Sequence, residues 1–279
     1  MTACRPIRLN AFDMACVGHI QHGMWTHPRD HSSDYTSLDH WVRLAQMLEC
    51  GLFDGLFLAD VLGTYDVYGG NADAALRGSV QIPLLDPMAL VPAMAYATAH
   101  LGFGVTCNLA YEAPFLFARR MASLDHLTRG RIGWNIVTGY LDSAARAMGF
   151  AAQVEHDDRY DLADEYLQVV YALWEGGWAD DAVVRDRQGG IYTDPGRVRP
   201  VHHHGKQFDA TLSRCGSLRR NAHRCCTRPA PPIAAAYSLH AMQSAYSSTA
   251  ALNKMYAGLS LIYAPAPRRG QCWCSSARA

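Results

Sequence analysis

The sequence predicts an α/β fold on a parallel sheet, the first half of a (β/α)8 barrel with an aberrant C-terminal tail. Three observations predict it. In residues 101–140 two short apolar runs, Gly102–Leu109 and Arg131–Thr138, flank an amphipathic run ending in Thr-Arg-Gly. Strand–helix–strand with short links is the unit of a parallel sheet. The same alternation of strand and helix recurs four times between residues 7 and 174. The strands also end in polar residues (Thr106 and Asn108; Asn135 and Thr138), where parallel α/β sheets place their chemistry.

In order, Ile7–Ala15 (IRLNAFDMA) reads as the first strand. The polar loop Gly18–Tyr35 follows, with four histidines; a loop this long is usually functional or disordered. Ser37 is placed to cap a helix in which Leu38, Trp41, Leu44, Ala45 and Leu48 share one face, and Gly51 supplies the stop. Phe53–Asp60 (FDGLFLAD) is a buried strand ending in a carboxylate, Gly63–Asp86 a second long loop, and Pro87–His100 an apolar helix. After the 101–140 unit, Asp142–Asp157 reads as a polar loop. Arg159–Trp174 reads as a helix whose acidic first half suits its dipole. Asp180–Phe208 reads as loop and hairpin around a Gly-Gly turn. Strands this apolar call for cover on both sheet faces. A complete barrel needs four further units and about 250 residues or more.

Composition is that of a globular protein, with 49% hydrophobic and 18% charged residues and zero formal net charge. Nothing in it points to nucleic acid. No run of about 18 apolar residues is present to span a bilayer, and the N-terminus lacks a signal-peptide pattern, so the expected location is cytoplasmic. The average conceals a break. After Asp209 there is no Asp or Glu, against eight Arg and one Lys, a formal charge of +9; the first 209 residues hold 25 acids and 16 bases, or −9. Five of nine cysteines fall in the last quarter.

The segments FDGLFLAD, TCNLAYEAPF, ARRMASLDHLTRGRIGWNIVTG, HDDRYDLADEYL and VHHHGKQF together resemble the bacterial-luciferase-like flavin monooxygenases. Within them they resemble the branch of nitrilotriacetate monooxygenase component A and dibenzothiophene-sulfone monooxygenase. The resemblance covers about residues 5–209. It implies a TIM barrel of luciferase-like type. It also implies a two-component enzyme to which a separate NAD(P)H-dependent flavin reductase supplies reduced FMN. Oxygen then adds to the flavin to give a peroxyflavin, which oxygenates a small amine- or sulfur-containing substrate; relatives form homo-oligomers.

The resemblance assigns flavin contacts to Asp60, Thr106, Asn135, His156 and Tyr160, with His156 also the catalytic candidate as proton donor or hydrogen-bond partner. Each also has a structural reading. Asp60 can cap a loop, Thr106 can be a strand threonine, Asn135 a turn residue, and His156 with Tyr160 packing at a helix start. His202–His204 is not expected to bind metal, because adjacent residues on a strand face opposite ways. Two other readings remain open: a truncated, non-catalytic remnant of the same family, or a coenzyme F420-dependent oxidoreductase on the same barrel.

The resemblance divides the chain into residues 1–208, the N-terminal half-barrel, and 209–279, an aberrant tail. Codons permitted for Arg220–Pro232, read from the third base, give QRTPVLYQAGAS, which looks like the strand and Gly-Ala-Ser turn that the family has next. The hypothesis is that the tail arises from a frameshift, real or in sequencing. The nucleotide sequence across codons 205–279 decides it; stop codons or unrelated sequence in the alternative frame would end the idea.

Overall fold

Leu56, Leu58, Phe103, Val105, Ile132 and Trp134 alternate along three strands with Phe57, Gly104 and Gly133, and all six are buried in one cluster with the helices. The computed structural model describes residues 8–19 and 23–212. It contains β1 (Asn10–Met14), α1 (Leu38–Cys50), β2 (Gly55–Ala59), α2 (Asp73–Gly78), α3 (Pro87–Tyr96), β3 (Gly102–Asn108), α4 (Pro114–Leu127), β4 (Ile132–Val137), α5 (Asp142–Ala147) and α6 (His156–Glu175). Two hairpins follow, β5 (Val183–Asp186) with β6 (Ile191–Thr193) and β7 (Val201–His204) with β8 (Asp209–Leu212). Residues 213–279, and with them nearly all of the tail read as frameshifted, lie outside the described residues.

Strands β1 to β4 form one parallel sheet in sequence order. Helices α1, α3, α4 and α6 join the sheet in a single hydrophobic cluster. They therefore lie on one face, as in a barrel wall, rather than dividing over two. The pleat sends alternate residues to the opposite face. There the register places Phe12 beside Phe57, Phe57 beside Gly104, Gly104 beside Gly133, and Thr106 beside Asn135.

The elements depart from the sequence reading in specific ways. β1 is shorter than Ile7–Ala15 at both ends. Ser37 occupies the N-cap of α1 without a side-chain cap bond; Trp41 Nε1 instead donates to the carbonyl of Tyr35 at 2.7 Å. Gly51 ends α1, but the left-handed residue is Leu52, at φ 62°. The loops 63–86 and 142–157 contain the six-residue helices α2 and α5, too short to form on propensity alone. α6 starts at His156, three residues earlier than expected.

α3 stops at Tyr96 instead of continuing to His100 because two long side chains take over its backbone partners. Arg131 donates to the carbonyls of Ala95, Thr98, Leu101 and Thr128 and to the Thr98 hydroxyl, at 2.5–3.0 Å. Glu49 accepts from the amides of Ala99, His100 and Leu101 at 2.5–3.1 Å. The turn from α3 into β3 is thus held from both sides by a cation for its carbonyls and an anion for its amides. Glu165 of α6 does similar work for the second hairpin, accepting from the amides of Gln207 and Phe208 with His203 Nε2 3.1 Å away. Burial raises the Glu165 pKa, and these three donors more than offset it, so the carboxyl is held below its usual range. A side chain on Gly205 would collide with Glu165.

Replacing Arg131 with leucine strands several carbonyls at the base of the sheet. The expected loss is about 1–3 kcal/mol of unfolding free energy, read by urea denaturation; an unchanged midpoint would show that Arg131 does not hold the turn.

Candidate active site

The carboxyl ends of the four strands carry loops that meet over the sheet. Three groups of polar residues collect there, as expected for the catalytic end of a parallel α/β unit.

The first group is Thr106 and Asn135, register partners on β3 and β4 and both buried. Asn135 Nδ2 donates to Thr106 Oγ1 at 3.0 Å. Asn135 Oδ1 is buried and has no hydrogen-bond partner. A buried acceptor left unmade costs about 1–3 kcal/mol, so the geometry favours a ligand N–H at this point. Phe12 and Phe57, on the same sheet face, stack at 5.3 Å, and Phe12 lies 5.0 Å from the His19 ring.

The second group is a chain of side chains from three loops. Gln81 Nε2 lies 2.5 Å from His19 Nδ1. Tyr65 Oη donates to Gln81 Oε1 at 2.9 Å, and the Tyr65 and Tyr140 hydroxyls are 2.5 Å apart. Gln81 is buried and sits at φ 53°, with Ser79 nearby at φ 50°, both in the left-handed region. Such backbone strain in non-glycine residues concentrates at functional sites. Cys16 is also buried here, its thiol pushed up to about 11 by burial, with Asp13 and Asp60 adding to the effect and a hydrogen bond to the Gly18 carbonyl opposing it. Sequence reasoning missed these residues individually. The available signal was the length of the loops 18–35 and 63–86 that carry His19, Tyr65 and Gln81.

The third group lines a cavity of about 450 Å³ around the end of β3, with Asp60, Asp86, Thr106, Cys107 and Glu112 in its wall. Asp60 is pushed up to about 6, chiefly by burial and then by the Asp86 carboxylate, while the Val61 amide opposes the shift. Burial raises Cys107 to about 12. Arg120 pairs with Glu112 in the same wall.

Of the residues singled out in sequence, Asp60 and Thr106 share this cavity, and Asn135 joins through its bond to Thr106. His156 and Tyr160 come together at the start of α6, ring centroids 4.9 Å apart, but do not line the cavity. His156 is half-exposed, with Nδ1 2.8 Å from Asp157 Oδ1. Burial raises the Tyr160 phenol, opposed by Arg159. The segment preceding them does reach the wall, since Tyr111 Oη donates to Gln153 Oε1 at 3.2 Å. The histidines of β7 separate, as alternation requires: His202 meets Thr211, His203 meets Glu165 and His204 meets Asp209. Among the described residues no cluster of three or more His, Cys, Asp or Glu is arranged to hold a metal ion. No helix among them is long and apolar enough to cross a membrane.

The raised Asp60 pKa has a defined sign. The folded state holds the proton more tightly than the unfolded chain, so this contribution to stability is full below about pH 4 and is lost as pH rises through about 6. Asp60→Asn removes the cost of the buried charge. It is expected to stabilise the protein at pH 8 by about 2–3 kcal/mol and to leave it unchanged at pH 4. Parallel pH–stability curves of the two proteins would refute the shift.

The description "Luciferase-like monooxygenase" belongs to the family model that matches residues 20–248. The long-chain alkane monooxygenase of Geobacillus thermodenitrificans (strain NG80-2) is 56% identical over 205 residues, 74% of this chain and 47% of that protein. The crystal structure of long-chain alkane monooxygenase superposes with a TM-score of 0.76 over 77% of this chain and 50% of that one. The dimethyl-sulfide monooxygenase of Hyphomicrobium sulfonivorans is 52% identical over 202 residues, 72% of this chain and 42% of that protein. The dibenzothiophene-sulfone monooxygenase of Rhodococcus erythropolis (strain XP) is 42% identical over 207 residues, 74% and 45%. A riboflavin lyase solved with modified FMN and riboflavin matches at 39% identity and a TM-score of 0.74, over 78% of this chain and 48% of that one. The chain spans about half the length of the curated relatives it matches. On its sequence, its parallel half-barrel and these matches, the chain belongs to the luciferase-like monooxygenase family.

Proposed function

We propose that this chain forms the flavin-binding half of a two-component monooxygenase. It would take reduced FMN from a separate NAD(P)H-dependent flavin reductase and use O2 to oxygenate a small organic substrate. The observation that carries the reading is the unpartnered Asn135 Oδ1 beside the Thr106 hydroxyl on the barrel-facing side of the sheet. An isoalloxazine edge offers a ring N–H to the one and carbonyl or ring-nitrogen acceptors to the other. Bound reduced FMN supplies the activation of dioxygen. This chain's residues bind, orient and shield.

In this reading Asn135 and Thr106 fix the ring edge, and Phe12 and Phe57 give a flat apolar wall. Asp60 stands at the strand end as a carboxyl that is neutral below about pH 6 and anionic above it. His156 and Tyr160 contact the flavin from the start of α6, with His156 holding a proton at its imidazole. The His19–Gln81–Tyr65–Tyr140 chain orients the substrate and passes hydrogen bonds between loops. Amine- and sulfur-containing small molecules are the substrate class. The rival readings predict other outcomes in the same assays.

Titrating the protein with FMN and following flavin fluorescence tests the reading. Asn135→Leu should weaken binding by about tenfold, the value of one lost hydrogen bond to a buried group. Oxygen uptake with a flavin reductase and NADH should depend on the protein and on an added alkyl sulfide or amine. No flavin binding would favour the non-catalytic remnant. Consumption of reduced F420 without FMN-dependent oxygenation would favour the deazaflavin reading.

A further inference from the structure

The loop after β2 and the short helix α5 after β4 are locked together by contacts the functional reading does not use. Ser143 Oγ accepts from the Thr64 amide at 2.9 Å and donates to the Thr64 carbonyl at 2.7 Å. One hydroxyl thus satisfies both backbone groups of a residue 79 positions away. Two residues beyond Thr64, Asp66 pairs with Arg146, three residues beyond Ser143. On the other side Gly63, at φ +96°, lies so close to α5 that an added Cβ would fall 2.7 Å from the Ala144 amide and from Ser143 Oγ. Ala144 and Ala145 are buried beneath these contacts.

The three contacts bracket one residue. Tyr65 lies between Thr64 and Asp66, and its hydroxyl is the middle link from Gln81 to Tyr140. Both clasped segments also reach the cavity at the end of β3, through Leu62 before the clasp and Met148 after it. An exposed loop carries the entropy of its alternative backbone conformations. A hydroxyl that fixes both the N–H and C=O of Thr64 removes that freedom at the residue next to the tyrosine.

We propose that Ser143 is a positioning residue: by gripping the Thr64 backbone, with Arg146–Asp66 as an outer tie, it holds the Tyr65 hydroxyl in line between Gln81 and Tyr140. It touches neither flavin nor substrate. Its importance for turnover rests on the oxygenase reading above; its effect on Tyr65 does not.

The test uses the full chain with fluorotyrosine at position 65, read by fluorine NMR, together with amide hydrogen exchange at Thr64. Ser143→Ala should speed Thr64 exchange by about tenfold, one hydrogen bond's worth, and shift the Tyr65 resonance toward that of free fluorotyrosine. Ser143→Thr should restore both. If Ser143→Ala does not fold, Arg146→Ala opens the clasp from its exposed end and should move the same resonance in the same direction. Faster Thr64 exchange with an unmoved Tyr65 resonance would overturn the proposal, as would failure of threonine to restore it. In the oxygenase assay, Ser143→Ala should lower kcat with little change in KM, and combining it with Tyr65→Phe should add nothing. If the unsubstituted chain oxygenates no substrate, the functional reading fails while the NMR and exchange results still decide the clasp.

Discussion

The pleat of the four parallel strands is the constraint on which the rest depends. Its period of two sends Leu56, Leu58, Phe103, Val105, Ile132 and Trp134 into the helices. The same period leaves Phe12, Phe57, Gly104, Thr106, Gly133 and Asn135 on the other face. A slip of one residue between β3 and β4 would bury Asn135 among the helices and expose Trp134 to the barrel side, so the apolar demand of the helix layer fixes the register. That register then sets Thr106 against Asn135. The polar pair is a by-product of burying the aromatic and aliphatic residues on either side of it.

The two ends of the sheet are stabilised by different means. At the amino ends, Arg131 and Glu49 saturate the backbone of one turn, each spreading its charge over several donors or acceptors. Burial lowers the Arg131 pKa, and the nearby Glu49 carboxylate opposes that shift. The carboxyl ends carry the unpartnered Asn135 acceptor, the left-handed Gln81 and the half-buried Asp60 beside Asp86, and the amino ends carry costs of the same kind in left-handed Leu52 and Arg129 and in the buried, unpartnered Asn10 Oδ1 and His100 Nδ1.

The legible parts of the sequence were those set by local periodicity. The strands around Leu56, Phe103 and Trp134, and the helices through Trp41, Phe117 and Leu167, bury enough apolar surface to show a pattern. Helices α2 and α5 were not legible, because six residues give no periodicity and the contacts that hold α5 come from residues 63–66, far away in sequence. The end of α3 was misplaced for a similar reason: the residues that stop it are Glu49 and Arg131, not a local glycine or proline. Asp60, Thr106, Asn135, His156 and Tyr160 were singled out through the family resemblance; the fold puts Asp60 and Thr106 in one cavity wall and joins Asn135 to Thr106, while His156 and Tyr160 pair at the start of α6 away from that wall. The network of His19, Tyr65, Gln81 and Tyr140 was not singled out, since its members lie 62, 16 and 75 residues apart along the contacts that join them.

The Asp60 carboxyl connects these themes. It follows β2 directly, so the strand that delivers Leu56 and Leu58 to the helices also carries it into the wall around β3. Burial and Asp86 together make its ionised form costly, and a hydrogen bond from the Val61 amide relieves part of that cost. Arg120, the cation in the same wall, is already committed to Glu112. Above about pH 6 the ionised Asp60 costs the fold stability rather than adding to it. A donor brought to it by a bound molecule or by the rest of the chain would lower that cost. The same reasoning applies to Asn135 Oδ1 across the β3 strand. Asp60 and Asn135 thus stand on either side of Thr106; among the described residues the first is met by the Val61 amide and the second keeps a buried oxygen with no hydrogen-bond partner, so the two strand ends differ in how far the protein itself satisfies them.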